Sequence, residues 1–186
     1  LRSPDAVRAL AAAGLDWVFF DAEHGAFDLE TLQDLMRVAV TAGLCPIVRV
    51  ADLQYALIAR ALDCGAQGVL LPRVESPELL EKAVSWTRFP PLGTRGFGLG
   101  PPQLDYEAVS MSDAIAHVNA NILVVLQIET RTALDRIATT APARASQSSR
   151  AQPWCQAAGP QTTAASVVRP VTTMSAPRPS ASTTAS

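Results

Sequence analysis

Along the first 137 residues apolar positions recur with two periods, one helical and one extended, and the two alternate. Residues 6–13 are rich in alanine, leucine and arginine and end at Gly14, which predicts a short helix. After Asp28, the residues Leu29, Leu32, Leu35, Met36 and Ala39 fall on one helical face, and Gly43 marks the stop. Between these helices lies WVFF at 17–20, an unbroken apolar run of the kind found in a parallel strand covered on both faces. PIVRV at 46–50, VLLP at 69–72 and the apolar centre of NILVVLQIET, which opens at Asn121, predict three more strands. One further helix is predicted from Asp52, as its cap, through Leu62, and another from Ser76, with Pro77 at the first helical position and Glu78 in the first turn. Two more are expected over residues 106–118 and in RTALDRI at 131–137. Four strands alternating with helices predict an α/β fold with a parallel sheet and crossover helices. PPLGTRGFGLG at 90–100 breaks the alternation, as a functional loop or a lid.

Beyond Ile137 the pattern stops. Residues 138–186 hold 12 alanines, 8 threonines, 8 serines and 6 prolines among 49, too little apolar surface to offset the entropy of ordering them. A disordered, low-complexity tail is expected there, and hence a division into 1–137 and 138–186. All 17 acidic residues lie at or before Asp135, so the charge balance turns from −6 over residues 1–137 to +4 afterwards. Losing every carboxylate one turn into a helix suggests a reading-frame shift in GC-rich coding sequence. The whole chain, at net charge −2 and 48% hydrophobic, has the composition of an ordinary soluble protein, and nothing in it suggests a nucleic-acid partner. Cys45, Cys64 and Cys155 are odd in number and lack C-x-x-C spacing, which argues against a disulfide framework or a zinc site and for a reducing, cytoplasmic setting. No apolar run approaches the ~18 residues that span a membrane, and the start at Leu1 reads as truncated rather than targeted.

The chemistry-bearing residues sit at strand ends. Asp21, Glu23 and His24 follow the first strand, where parallel α/β folds bind ligands, although Asp21 as a turn cap and His24 as a plain loop residue explain them equally well. Arg49 lies inside an apolar strand, so it either forms an internal ion pair with Asp21 or Asp63 or grips an anionic substrate through its fork of donors. Gln127 and Glu129, two apart at the end of the last strand, face one side and suit a hard cation such as magnesium or manganese; the plain alternative pairs Glu129 with Arg131. Asp63 occupies the last turn of its helix, where it opposes the dipole, and either bonds a nearby amide or polarises a histidine. His117 is given no role. GFGLG at 96–100 follows no strand and lacks the full spacing of a dinucleotide loop.

Taken in order, GLDWVFFDAEH, PIVRV, ALDCGAQGVLLPRV, TRFPPLGTRGFG and VLQIET resemble the HpcH/HpaI aldolases, the metal-dependent class II pyruvate aldolases related to the citrate-lyase beta group. The resemblance covers residues 1 to about 137. It implies an incomplete TIM (β/α)8 barrel without its first strand and last three strand–helix units. It further implies lyase activity on 4-hydroxy-2-oxo acids, giving pyruvate and an aldehyde, and a divalent metal, magnesium or manganese with cobalt a further option. Intact members are expected to be hexamers. By the same resemblance His24 is the acid/base, Asp63 raises its basicity, Asp21 supports it, Arg49 stabilises the developing enolate, Gln127 contacts substrate and Glu129 binds metal. The family's second metal-binding aspartate, in a GPADLS-like motif, has no counterpart after Asp135. Weak metal binding and no appreciable turnover are therefore expected of this chain, with a non-catalytic fragment as the alternative function.

Overall fold

The computed structural model describes residues 2–98, 100, 104 and 106–136; the expected tail at 138–186 lies outside the described residues. In chain order the elements are α1 (Pro4–Ala12), β1 (Trp17–Asp21), α2 (Leu29–Thr41), β2 (Cys45–Arg49), α3 (Tyr55–Asp63), β3 (Gly68–Leu71), α4 (Pro77–Ser85), α5 (Met111–Asn121), β4 (Leu123–Leu126) and α6 (Arg131–Asp135). The four strands form one parallel sheet in the order β1-β2-β3-β4, an arc of an incomplete (β/α) barrel. Because neighbours are in sequence order and parallel, all four carboxyl ends lie at one end of the arc.

Local chemistry fixes most element boundaries. The Asp28 carboxylate accepts the Thr31 N–H at 2.7 Å, and the Ser76 hydroxyl accepts that of Leu79 at 3.1 Å, each satisfying an orphan donor of a first helical turn. Gly14 and Gly43 follow α1 and α2 with φ of +81° and +80°, which only glycine adopts without cost. Two expected starts are corrected. Asp52 does not cap α3, which begins after Gln54; it accepts the Leu53 N–H and the Gln54 side-chain amide instead. The helix expected from residue 106 begins at Met111, because Tyr106 sits in the left-handed region at φ +61° while the Ser110 hydroxyl caps the Asp113 N–H. Asn121 closes α5 rather than opening β4.

Among the described residues the sheet is covered on one face only, unlike the two-sided cover expected for WVFF. Val18 and Phe20 turn inward to the core shared with Leu35, Met36, Val48 and Ile58, whereas Trp17 is 57% and Phe19 40% exposed. The same alternation runs across the arc. Phe19, Ile47, Gly68 and Leu123 form one row of the register on the uncovered face. Within that row a Cβ on Gly68 would lie 3.1 Å from Leu123 Cβ and 3.4 Å from Ile47 Cγ1, so its two neighbours close over it.

The glycine-rich segment is a fastened buckle. Thr94 N–H donates to the Ser85 carbonyl at 2.8 Å and Gly96 N–H to the Tyr55 hydroxyl at 2.8 Å, tying the segment to α4 and α3. The buried Asn119 of α5 completes it: its carbonyl oxygen accepts the Phe89 N–H at 2.7 Å and its amide donates to the Phe89 carbonyl at 3.0 Å. One side chain thus satisfies both backbone groups of a buried residue. Replacing Asn119 by Ala strands the buried Phe89 N–H, while the Phe89 carbonyl keeps the Leu92 and Gly93 N–H groups, so unfolding in urea is expected to show a loss of about 1 to 3 kcal/mol. A midpoint and slope matching the parent chain would remove Asn119 from this role.

Candidate active site

Asp21 and Arg49 are register partners at the last positions of β1 and β2. The Arg49 guanidinium grips the carboxylate with both arms, Nε to Oδ1 at 2.8 Å and Nη2 to Oδ2 at 2.5 Å. The remaining arm, Nη1, lies 3.2 Å from Glu23 Oε2 and 3.4 Å from Gln127 Oε1, so one guanidinium connects residues that follow β1 and β4. Those hydrogen bonds from Arg49 pull the Asp21 carboxyl down from 3.8 to about 2, with partial burial opposing and the His24 and Glu23 N–H groups assisting. The same pair raises the Arg49 pKa.

Asp21 also builds the turn behind it. Its Oδ1 accepts the backbone N–H of Glu23 at 3.1 Å and of His24 at 3.2 Å, an Asx turn of the kind the plain alternative for Asp21 expected. The His24 ring is 74% exposed, with Nε2 4.0 Å from Glu23 Oε1. Gln127 and Glu129 lie just beyond β4 rather than on it, yet they meet as expected: the Gln127 amide donates to Glu129 Oε2 at 2.7 Å. Glu129 Oε1 accepts the backbone N–H of Arg73 at 3.1 Å.

Asp63 has a different neighbourhood. It ends α3, and its Oδ1 takes the Arg95 guanidinium at 2.6 Å. Arg95 is 3% exposed and stacks over the Phe89 ring at 4.6 Å, while a Cβ on Gly98 would come within 2.9 Å of Asp63 Oδ2. The structure therefore brings Asp21, Arg49, Gln127 and Glu129 into one cluster with His24 at its rim, and joins Asp63 to the buckle.

Two participants, Arg73 and Arg95, were not singled out in the sequence, and Glu23 was named there without a role of its own. Glu23 is nearly buried between Arg49 and Arg73. Arg73, in LLPRV directly after β3, reaches Glu23 at 3.7 Å and Asp52 at 3.5 Å from a left-handed backbone at φ +50°. Arg95 is the buried partner of Asp63. A basic residue following an apolar strand was a readable signal for Arg73; its backbone conformation was not.

Four carboxylates, Asp21, Glu23, Asp52 and Glu129, surround two guanidinium groups, Arg49 and Arg73, leaving the strand ends net negative. That sign favours a cation, but the donor set does not make a metal centre as it stands. Both Glu129 oxygens are engaged by protein donors, and no group of three His, Cys, Asp or Glu side chains among the described residues is placed to hold an ion.

A parallel arc whose carboxylates and guanidinium groups converge at the strands' carboxyl ends is the arrangement of the (β/α)-barrel class. The chain belongs to the HpcH/HpaI aldolase/citrate lyase family, whose model matches residues 1–147. It is 37% identical over 132 residues to the 2-dehydro-3,6-dideoxy-6-sulfogluconate aldolase of Pseudomonas putida, covering 71% of this chain and 51% of the relative. To the 5-keto-4-deoxy-D-glucarate aldolase of Escherichia coli O139:H28 it is 34% identical, covering 74% and 53%. The crystal structure of an HpcH/HpaI aldolase from Desulfitobacterium hafniense DCB-2 superposes with a TM-score of 0.71 at 34% identity, covering 75% of this chain and 54% of that one. The chain spans about half the length of the curated relatives it matches. Among the described residues no helix is long and apolar enough to cross a membrane.

The depressed Asp21 pKa sets a pH dependence of stability. A carboxyl that ionises at about 2 in the folded state and 3.8 otherwise contributes fully above pH 3.8, and that contribution vanishes as pH falls toward 2. With the pair partly exposed, about 1 kcal/mol is expected to be lost across this window. Asp21→Asn should abolish that part of the urea-midpoint profile while lowering the plateau at neutral pH. Superimposable profiles for the two proteins would contradict the assignment.

Proposed function

We propose that this chain carries the oxo-acid-handling half of a cytoplasmic carbon–carbon lyase that cleaves a 4-hydroxy-2-oxo acid to pyruvate and an aldehyde. One observation carries the reading: a guanidinium fixed by Asp21 at the carboxyl ends of the strands, with Gln127 beside it. Both curated relatives named above are aldolases by name, which agrees with it.

In the cleavage direction His24 takes the proton from the C4 hydroxyl, the C3–C4 electron pair moves toward the keto group, and the aldehyde leaves. The pyruvate enolate that remains holds its charge against Arg49, and a proton returned to C3 completes pyruvate. Fixed donors contribute most where charge develops, and Asp21 prevents the guanidinium from turning away as it forms. Gln127 is assigned to substrate contact. Asp63, whose Oδ1 accepts from Arg95, is assigned to strengthening His24. A divalent metal, magnesium or manganese, would supply Lewis-acid chemistry at Glu129, but it needs ligands that the described residues do not bring together, so no step here is routed through it.

That incomplete donor set favours a second reading, a non-catalytic segment. The two combine into one expectation: the 186-residue chain recognises the oxo acid but shows no appreciable turnover. Pyruvate titrated against the chain and followed by saturation-transfer NMR should bind, and Arg49→Ala should abolish the signal. Arg49→Lys should not restore it, since a point charge cannot reproduce the fork. Equal binding by the alanine variant would dismiss the oxo-acid reading. In a family-length enzyme carrying these residues, the same alanine variant should raise the barrier to pyruvate release by about 2 to 4 kcal/mol.

Asp63 has two separable roles to test there. Asp63→Asn leaves Arg95 buried without its carboxylate and should destabilise the fold by about 1 to 3 kcal/mol. Adding Arg95→Met removes the orphaned charge and should restore stability while turnover stays low. Recovery of turnover along with stability would reduce Asp63 to a fastener of the buckle.

A further inference from the structure

Glu23 stands between both guanidinium groups of the candidate site. Its side chain is 9% exposed, with Oε2 3.2 Å from Arg49 Nη1 and Oε1 3.7 Å from Arg73 Nε and 4.0 Å from His24 Nε2. The contact with Arg49 pairs the charges without hydrogen-bond geometry: Oε2 is buried and accepts no hydrogen bond among the described residues. Yet Nη1 is the arm of Arg49 that Asp21 does not hold, since Asp21 takes Nε and Nη2. A carboxylate belonging to the chain therefore lies where the carboxylate of an oxo acid would meet the guanidinium.

We propose that Glu23 is an internal stand-in for the acid's carboxylate, and that Arg73 takes it over when the acid binds Arg49. The inference rests on the oxo-acid reading of Arg49. Two carboxylates on one guanidinium arm repel each other, and a carboxylate this buried cannot be left without a cation. Arg73 is a cation within reach, already facing the other oxygen of the same carboxylate, so the exchange shortens one existing contact and lengthens another. Its other partners are loose: Nη2 lies 3.5 Å from Asp52 Oδ1 and 3.3 Å from the Ala51 carbonyl, while Nε is the atom nearest Glu23. Asp52 can release it. The Gln54 side-chain amide at 3.0 Å and the Leu53 N–H at 2.8 Å, ahead of Arg73, already hold the Asp52 carboxyl below its ordinary pKa. The backbone N–H of Arg73 is meanwhile fixed to Glu129 Oε1 in a left-handed conformation that a residue with a Cβ adopts only under strain, which keeps the side chain's stem at the end of β3. A glycine would hold that backbone more easily, and the guanidinium is what glycine could not supply.

Pyruvate titrated against the full chain and followed by saturation-transfer NMR tests the exchange. Glu23→Gln keeps the shape and removes the competing charge, so it should tighten binding, by about tenfold if the unoccupied arm is ~10% populated in the parent chain. Glu23→Ser, which withdraws the carboxylate altogether, should tighten it in the same way, so the test stands even if the glutamine variant misfolds. Arg73→Met keeps the backbone N–H for Glu129 but leaves Glu23 without its second cation, and should weaken binding by a similar factor. Added to Glu23→Gln, Arg73→Met should change nothing, because no charge is left to receive. An Arg73 that touches pyruvate itself would instead lose affinity in both backgrounds, and that result would overturn the exchange. So would Glu23→Gln and Glu23→Ser binding no tighter than the parent while Arg49→Ala still abolishes the signal, an outcome that leaves the oxo-acid reading standing. Binding that survives Arg49→Ala, or no binding by the parent and every variant, would remove that reading and the exchange together.

Discussion

The grip of Arg49 on Asp21 is the interaction from which the rest of the candidate site takes its position. A guanidinium at the end of an otherwise apolar strand needs a carboxylate to stay there, and the in-register neighbour supplies one in bidentate geometry. The carboxylate in turn has acceptor capacity left over, and the Glu23 and His24 amides use it. The site is therefore built from the strand ends outward until the chain reaches the exposed histidine ring, with Glu23 Oε2 left buried beside Arg49 without a hydrogen bond. The alternatives of ion pair and anion grip for Arg49 are not exclusive, because the pair leaves Nη1 turned toward Glu23 and Gln127.

Much of the architecture was legible because local and global preferences agree. Each of Asp28, Ser76 and Thr130 precedes an apolar-periodic stretch and caps it. The convergence of Asp21, Arg49, Gln127 and Glu129 followed from parallel topology, which collects strand ends on one side whatever the register. Failures occurred where a neighbour distant in sequence decided the outcome. Asp52 looked like a cap but is drawn to Gln54 and Arg73 instead. The one-sided burial of WVFF was invisible, since an apolar run reads the same whether one face or two are covered. Arg95 could not be matched to Asp63 because 32 residues separate them and only the fold closes the gap.

A tension runs through the electrostatics. The strand ends are net negative, which attracts a cation, yet every Glu129 oxygen already has a protein donor and Glu23 sits against two guanidinium groups. Internal pairing of this kind neutralises part of the charge but leaves Glu23 Oε2 buried without a hydrogen bond. The cost is geometric: Arg73 holds a left-handed backbone, worth roughly 1 to 2 kcal/mol for a residue with a Cβ, so that its N–H can reach Glu129. Strain at a strand end, next to the most polar part of the fold, is where functional constraint is expected to show.

Asn119 has a further consequence, for how such a chain can change over evolutionary time. By binding both backbone groups of Phe89 from α5, it ties the two ends of the intervening stretch together at a fixed separation. Whatever lies between the buckle and α5 is then an excursion from a closed gate, and its length is nearly decoupled from the position of β4. Doubling such an excursion costs only about 0.6 kcal/mol of closure entropy. Insertions and deletions there can accumulate without disturbing the strand ends, so this stretch is where lineages sharing the arc are free to diverge.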